Sequence, residues 1–399
     1  MKRYVGTTAR GLRTPIFNSG DNLEELLPEI VLEAAQNIPF EIRDRDVLCI
    51  TESVVARTQG NYATVEDIRD DLINKLPKNC ETLGLIFPIL SRNRFSILLK
   101  GIALAAKKLV IMLSYPSDEV GNALFDEKKL MKSNVNPWQD VLSEEEFNHL
   151  FGKSVHPFTS VDYLQLYHEM AEEAGEDCEI IFANHAEAIL DYTPFVISCD
   201  IHSLADSKRR LKEAGAQWVI GLDEILNEES NKHGYNQHYG LLGSNKADEE
   251  RIKLFPRDCQ KLVEEISATL FEKTGKHVEV MVYGDGAFKD PVAKIWELAD
   301  PVVSPAFTKG LTGTPNELKL KYLADSEFKG MSSEEQKLAI ESKIQNKDKD
   351  MRGNQLSEGT TPRNLTDLLG SLADLTSGSG DKGTPVVYIQ GYFDSFADS

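Results

Sequence analysis

The pattern of apolar and polar positions predicts an alternation of strands and helices along the chain. Apolar residues that recur every three or four positions predict a helix over residues 23–38, which Asp21 or Asn22 can cap, and a second helix over 102–108. Four short apolar runs between polar turns are typical of buried strands: 47–50, 109–113, 280–283 and 386–389. This alternation indicates an α/β (mixed α+β) fold.

The middle of the chain has a pattern of its own. In residues 123–278, apolar runs such as 178–184 and 194–200 are separated by amphipathic segments of about ten residues. That arrangement predicts βαβ units around a parallel sheet, and therefore an inserted α/β subdomain. His185 and His202 each follow one of these strands, where parallel sheets bind small molecules, although a structural or surface role is favoured for both.

The chain is accordingly divided into residues 1–122, the inserted subdomain 123–278 and residues 279–399. Within the last region, residues 325–360 are charged and poor in aromatic residues. Such a composition predicts a solvated helix followed by a mobile loop, which is a candidate lid.

Composition narrows the class of protein. The 399 residues contain 44 Lys and Arg against 64 Asp and Glu, a formal net charge of −20, which disfavours binding to nucleic acid and to anionic membranes. The five cysteines are widely spaced and form no CxxC pair, which indicates reduced thiols in the cytoplasm. We find no apolar signal segment and no run of about 18 apolar residues that would cross a membrane.

The first chemical candidate is Asp285, in the sequence EVMVYGDGAFKDP. It stands between Gly284 and Gly286 at the end of a predicted strand, where open backbone lets a carboxylate point at a ligand. Asp285 is therefore a candidate ligand for a metal ion or a metal-bound polyphosphate. The alternative is an ordinary Gly-Asp-Gly turn.

Two further groups of residues are candidates for phosphate and metal binding. The strand at 47–50 runs into Thr51-Glu52-Ser53, with Arg57 about one helical turn later, which suits a phosphate group or simply a capped helix start. The strand at 109–113 opens into Asp118-Glu119, closed by Gly121-Asn122. These carboxylates can share a divalent cation with Asp285, or form an acidic surface turn. Arg92, Arg94 and Lys100 form a basic cluster nearby in the sequence.

Small residues near the carboxyl terminus form the last candidate. The loop Ser377–Gly383 contains Ser379, Asp381 and Lys382, and its backbone N–H groups can surround phosphate, although a flexible linker has the same composition. The P-loop pattern GxxxxGK[ST] is absent, as are GxSxG, HExxH and any Cys/His dyad at a readable spacing.

Several of these stretches occur in the same order in a known family. They are LRTPIFNSGDNLEELL, RDRDVLCITESVVARTQG, the turn that ends at Asn122, VMVYGDGAFKD and LADLTSGSGDKGTPVVYIQG. Together they resemble the coenzyme F420-0:gamma-glutamyl ligase family over roughly the first 122 and the last 120 residues, as a ligase-like core around the inserted subdomain. The resemblance implies GTP-driven addition of L-glutamate to a carboxylate acceptor, with Mg²⁺ or Mn²⁺ and also K⁺, by a homodimer.

The resemblance also implies roles for particular residues. Asp285 and Glu119 or Asp118 would be metal ligands, and Asp285, Glu119 and Arg57 would take part in catalysis. The nucleotide contacts would be Thr14, Pro15, Ile16, Phe17, Glu52, Ser53, Arg57, Asn122, Ser379, Asp381 and Lys382. This chain departs from the family pattern at Arg57, where lysine is usual, at Gly286, where a hydroxyl is expected, and at Ser379, where Glu or Gln is expected.

The resulting expectation is a cytoplasmic, metal- and nucleotide-dependent amide ligase without nucleic-acid or membrane partners. Two alternatives stay open. A metal-dependent phosphotransferase or hydrolase would use the same carboxylates without an amine. A non-catalytic binding or regulatory protein would keep the fold, and Gly286 and Ser379 are the residues that favour it.

Overall fold

The computed structural model describes residues 4–156, 160–175, 178–284, 288–289, 296–297, 304–358, 360, 363–378 and 380–398. The strands are β1 (Thr8–Leu12), β2 (Val47–Thr51), β3 (Tyr62–Thr64), β4 (Leu83–Ile86), β5 (Leu109–Leu113), β6 (Leu142–Ser143), β7 (Cys178–Phe182), β8 (Phe195–Ser198), β9 (Trp218–Gly221), β10 (Asn245–Lys246), β11 (Arg251–Lys253), β12 (Glu279–Tyr283), β13 (Phe288–Lys289), β14 (Trp296–Glu297), β15 (Ala306–Phe307) and β16 (Val386–Gln390). The mixed α/β class is confirmed.

The helices lie between these strands in both halves of the chain. They are α1 (Leu23–Asn37), α2 (Glu52–Thr58), α3 (Val65–Lys75), α4 (Phe95–Ala103), α5 (Glu127–Lys132), α6 (Glu144–Phe151), α7 (Tyr163–Glu173), α8 (Leu204–Glu213), α9 (Cys259–Thr274), α10 (Leu320–Asp325), α11 (Ser333–Gln345) and α12 (Leu365–Thr376). Among the described helices, none combines the length and apolar content that crossing a membrane requires.

The first sheet joins the two ends of the chain in the order β1-β16-β2-β12-β15. β2 and β12 are parallel, with Thr51 beside Tyr283 at their carboxyl ends, and the other neighbours are antiparallel. One face of the sheet packs on α1 and α9, and the other packs on α12. Burial on both faces explains why these strands are continuous apolar runs instead of alternating ones.

The second sheet has the order β6-β7-β5-β4-β8-β9, and only β6 is antiparallel to its neighbour. β5 and then β7 lie on one side of β4, whereas β8 and then β9 lie on its other side. The direction in which successive strands are added therefore changes between β4 and β8. In parallel sheets such a switch point leaves a crevice at the carboxyl ends of the strands.

A small third sheet marks where the chain enters and leaves the second one. β3 pairs with β11, so that Tyr62 lies opposite Lys253, and β11 also pairs with β10. Among the described strands, each one from β3 to β11 pairs only with others of that range. We call the stretch from β3 to β11 the inserted unit; the boundary predicted at residue 123 lies between the hydrogen-bonded neighbours β5 and β7.

The helix expected over 102–108 is displaced towards the amino terminus. α4 ends at Ala103, and the N–H groups of Ala105 and Ala106 form short turns back to Ile102 and Ala103. The chain must turn there to enter β5 at Leu109. Within the predicted lid, 325–360, α11 is helical, and Met351 packs with residues 318 and 323 in a small separate core.

Candidate functional site

Three distant segments meet at the carboxyl end of β2. The N–H of Thr14 donates to the carbonyl of Gly383 at 3.2 Å, and the N–H of Thr51 donates to the carbonyl of Pro385 at 3.2 Å. Arg57 Nε donates to the carbonyl of Phe17 at 2.5 Å. The segments that contain the predicted nucleotide contacts at 14–17, 52–57 and 381–382 therefore meet at one end of the first sheet.

The loop after β1 presents its residues in different ways. Phe17 is buried in the core below α1, whereas Ile16 is 81% exposed and Pro15 is also exposed. Thr14 Oγ1 donates to the carbonyl of Pro15 at 3.0 Å, which stabilises the turn. The anchored ring of Phe17 thus holds the backbone of this loop against Arg57.

Glu52, at the start of α2, forms a buried ion pair. Lys253 Nζ lies 3.1 and 3.3 Å from the two carboxylate oxygens of Glu52, and 2.7 Å from the hydroxyl of Ser53. Glu52 is 4% exposed and Lys253 is 7% exposed. A charged pair this deep needs several hydrogen bonds to offset its loss of water, and these contacts supply them.

Lys253 is a site residue that the sequence analysis missed. It lies on β11 of the inserted unit, in a run of mixed charge that carries no recognisable motif. Its proximity to Glu52 arises only because β11 pairs with β3, which follows α2 closely in the chain. The sequence feature that could have identified Lys253 is a basic residue directly before an apolar run.

Arg57 also faces the inserted unit. It lines a small cavity of about 260 Å³ together with Asn18, Ser19, Tyr62 and Arg251. Arg251 lies over the ring of Tyr62 at 5.8 Å and pairs with Asp248, Nε to Oδ2, at 2.7 Å. Two guanidinium groups in one cavity make it suited to an anion.

The carboxyl-terminal loop closes on itself above this edge. Gly378 and Thr384 form an isolated antiparallel bridge, and between them Asp381 and Lys382 are exposed. A Cβ on Gly378 would stand 2.5 Å from a side-chain carbon of Lys382, so glycine is needed for this approach. Ser379, Asp285 and Gly286 lie outside the described residues; β12, which leads to Asp285, ends at Tyr283 beside Thr51.

Asp118 and Asn122 lie elsewhere, at the carboxyl edge of the second sheet. The carboxylate of Asp118 accepts N–H bonds from Leu90 at 2.9 Å, Val120 at 3.1 Å and Asn122 at 2.7 Å, and from the Asn122 side chain at 2.8 Å. Burial raises the pKa of Asp118 to about 6, against the opposing effect of these donors. The carboxylate ties the loop after β5 to the loop after β4.

Glu119 spans the switch point of the same sheet. Its carboxylate accepts from the N–H groups of Ile201, of His202 at 3.1 Å and of Ser203 at 3.4 Å, just before α8. Burial raises its pKa, and the neighbouring Asp200 adds to the increase. Asp200 accepts from the hydroxyls of Ser198 at 2.5 Å and Ser207 at 2.6 Å, and burial raises its pKa as well.

The basic cluster predicted near residues 92–100 divides among different environments. Arg92 is exposed and Arg94 is buried at the start of α4, in the loop that also contacts Asp118. Lys100 pairs with Glu250 at 2.8 Å and with Glu173 at 3.5 Å, so its charge is balanced within the protein.

The carboxylates of Asp118, Glu119 and Glu52 are not free to bind a cation as they stand, because protein groups already donate to them. Asp118 and Glu119 accept several N–H groups each, and Glu52 is paired with Lys253. In the part of the chain that the structure describes, no group of three or more His, Cys, Asp or Glu side chains has the arrangement of a metal site. The metal roles of Asp118, Glu119 and Asp285 stay predictions.

Comparison with known proteins gives one result of wide coverage. A family model described as F420-0:Gamma-glutamyl ligase matches residues 11–391, nearly the whole chain. The match includes the inserted unit as well as the two outer segments. No curated protein matches the chain.

Proposed function

Since the chain belongs to the F420-0:gamma-glutamyl ligase family, we propose that it uses GTP to join L-glutamate, or a similar amine, to a carboxylate acceptor. The geometric observation that supports this proposal is the convergence of residues 14–17, Glu52 to Arg57 and residues 381–385 at the carboxyl end of β2. Backbone N–H groups, hydroxyls and cations from three segments are what a polyphosphate requires.

The proposed reaction has two steps. An oxygen of the acceptor carboxylate attacks the terminal phosphorus of the nucleotide, and the bond to the nucleoside diphosphate breaks, which leaves an acyl phosphate. The amine nitrogen then attacks the acyl carbon, phosphate departs and the amine loses a proton. No nucleophilic side chain is required, so the enzyme contributes alignment and balance of charge.

Arg57 is the residue to which we assign charge balance on the phosphates. Its bond to the carbonyl of Phe17 uses one of its five N–H donors and holds the side chain at the cavity that it shares with Arg251. Lys253 is assigned a positioning role, because it holds both Glu52 and Ser53 in place. Asp381 and Lys382 are proposed to cover the nucleotide from the other side.

Dependence on Mg²⁺ or Mn²⁺ and on K⁺ is proposed from the family alone, with Asp285 as a ligand. The carboxylates of Asp118, Glu119 and Glu52 already accept hydrogen bonds from the protein, and no step of the proposed reaction is assigned to a metal. A homodimer is likewise proposed from the family.

The proposal is tested by calorimetric titration of GTP, and then ATP, with and without Mg²⁺ or Mn²⁺. Metal-dependent micromolar binding to the wild type, lost in Asp285→Ala, is the expected result. Arg57→Met should weaken binding by about tenfold or more, since a charge-assisted contact contributes ~1.5–3 kcal/mol. Arg57→Lys should retain most of the affinity because it keeps the charge.

A turnover assay separates the ligase from the alternatives. Release of GDP that requires both glutamate and the family's F420-0 acceptor supports the ligase. Release without an amine favours a phosphotransferase or hydrolase, and binding without release favours a non-catalytic protein. A folded protein that binds neither nucleotide would contradict the proposal.

A further inference from the structure

Three side chains of the inserted unit form a hydrogen-bonded series to which the proposed function assigns no role. Cys178 Sγ lies 3.2 Å from His168 Nδ1, and His168 Nε2 lies 2.8 Å from Glu144 Oε2. A thiol next to a base that is oriented by a third group is the arrangement that activates cysteine. We propose that Cys178 is a reactive thiol that forms mixed disulfides with small disulfides of neutral or positive charge.

The fold holds the three residues on separate elements that pack together. Cys178 is the first residue of β7, and His168 lies on α7, which packs against β7. Glu144 is the first residue of α6, directly after β6, which pairs with β7. The ten-residue separation between His168 and Cys178 matches no common motif, so the sequence alone does not predict that these two side chains meet.

Glu144 determines which nitrogen of His168 is available to the thiol. Its carboxylate is an acceptor, so Nε2 carries the hydrogen and Nδ1 is left as the acceptor that faces Cys178 Sγ. In the proposed step, Nδ1 takes the thiol proton and the sulfur attacks one sulfur of the disulfide. The S–S bond breaks, a mixed disulfide forms on Cys178, and the departing thiolate takes the proton from His168.

The surroundings restrict the size and charge of the reagent. Glu144 and His168, about one-third exposed, line a cavity of about 480 Å³. Cys178 is 7% exposed and does not line this cavity, so a reagent that enters it must pass His168 to reach the thiol. The other charged residues of the cavity are Lys153, Asp162, Glu169 and Glu172. Lys153 is paired with Asp162 at 3.2 Å, which leaves an acidic entrance that attracts cations and repels anions.

The remaining cysteines have different environments. Cys49, Cys199 and Cys259 lie in the cores, where burial raises the pKa of each thiol, to about 12 for Cys259. Cys80 is half-buried, and burial together with Glu81 raises its pKa. None of these four has a histidine nitrogen as a hydrogen-bond partner in the described structure.

The test uses three disulfides of similar length: cystamine, 2-hydroxyethyl disulfide and 3,3′-dithiodipropionate, which carry positive, zero and negative charge. The folded full-length protein is incubated with each, and modification of every cysteine is followed by peptide mass spectrometry. Cys178 should react fastest of the five, in the order cationic, neutral, anionic. His168→Gln should slow its reaction with the neutral reagent by about a hundredfold.

Glu172→Gln is the matched control, because it alters the charge of the entrance at an exposed position. It should reduce the preference for cystamine without changing the rate with 2-hydroxyethyl disulfide. The rate at Cys80 should be the same in all variants. If Cys178 stays unmodified while Cys80 reacts, or if His168→Gln reacts as fast as the wild type, the proposal is wrong. The charge series on the wild type decides the case should His168→Gln fail to fold.

Discussion

At the scale of single residues, the carboxylates of this protein are distinguished by what donates to them. Asp118 and Glu119 are adjacent in the chain, yet Asp118 accepts from donors of its own loop and of the loop after β4, whereas Glu119 holds the segment before α8. Both organise the switch point of the second sheet. Their adjacency to a strand made them metal candidates, but their bonds show that they also order the surrounding loops.

Asp118 gives a prediction about pH. Its pKa is raised to about 6 from the usual 3.8, so the unfolded chain releases this proton at lower pH than the folded one does. The contribution of Asp118 to stability is therefore complete below pH 3.8 and falls by ~3 kcal/mol as the pH rises through 6. Carbon-detected NMR titration of Asp118 should give a midpoint near pH 6.

The opposite outcome is equally informative. A midpoint below the usual value for aspartate would mean that four N–H donors outweigh burial. In urea unfolding, Asp118→Asn should lower the free energy of unfolding by more in acid than at neutral pH. An equal loss in the free energy of unfolding at acid and at neutral pH would contradict the raised pKa of Asp118.

At the scale of elements, the ion pair of Glu52 and Lys253 joins α2 to β11, and so fastens the first sheet to the inserted unit. β11 is only three residues long, and the lysine ends it. The pair also orders Ser53, which is exposed at the proposed nucleotide site. The ion pair that joins the two units thus adjoins the proposed nucleotide site.

Lys253→Met should destabilise the protein by ~3–5 kcal/mol, because it leaves the carboxylate of Glu52 buried without its cation. The matched control is Lys246→Met on β10, whose pairing with Glu249 is at the surface and contributes at most about 1 kcal/mol. Both are measured by urea unfolding.

A double variant, Lys253→Met with Glu52→Leu, should recover much of the lost stability while nucleotide binding stays impaired. If Lys253→Met and Lys246→Met lower the free energy of unfolding equally, the ion pair of Glu52 and Lys253 does not hold α2 and β11 together.

At the scale of the whole molecule, the chain is a core made from its two ends with one continuous unit inserted between α2 and α9. The entry and exit of that unit are adjacent, since Tyr62 pairs with Lys253 and the N–H of Leu254 donates to the carbonyl of Asn61 at 2.9 Å. Insertions whose ends meet can fold on their own without straining the host.

We therefore expect a fragment of residues 61–256 to fold independently, because it contains every strand of the second and third sheets. Cooperative thermal unfolding followed by circular dichroism is the measurement. The control is the fragment 123–278, which lacks the central strands β4 and β5 and should stay unfolded. Cooperative folding of the control alone would overturn this division of the molecule.

The sequence by itself determined the mixed α/β class and the family. Strands β2, β5, β12 and β16 were readable because burial on both faces demands continuous apolar runs, and α1 was readable from its period and its cap Asn22. The loops at 51–57 and 377–383 drew attention as polar stretches beside predicted strands and helices, whereas residues 14–17 were indicated only by the resemblance to the family, and the roles of all three stay predictions. Local pattern is sufficient where a feature depends on neighbours in the chain.

Only the tertiary structure decided which distant residues meet. Lys253 reaches Glu52 across 201 positions, and His168 reaches Cys178 from a different element, so neither contact leaves a periodic trace. The inserted unit includes β4 and β5 because β4 pairs with β8 and β5 pairs with β7. Local conformation does not determine which strands pair with each other. Strand pairing and buried charge are set by the whole fold, because their energies arise between segments that the sequence keeps apart.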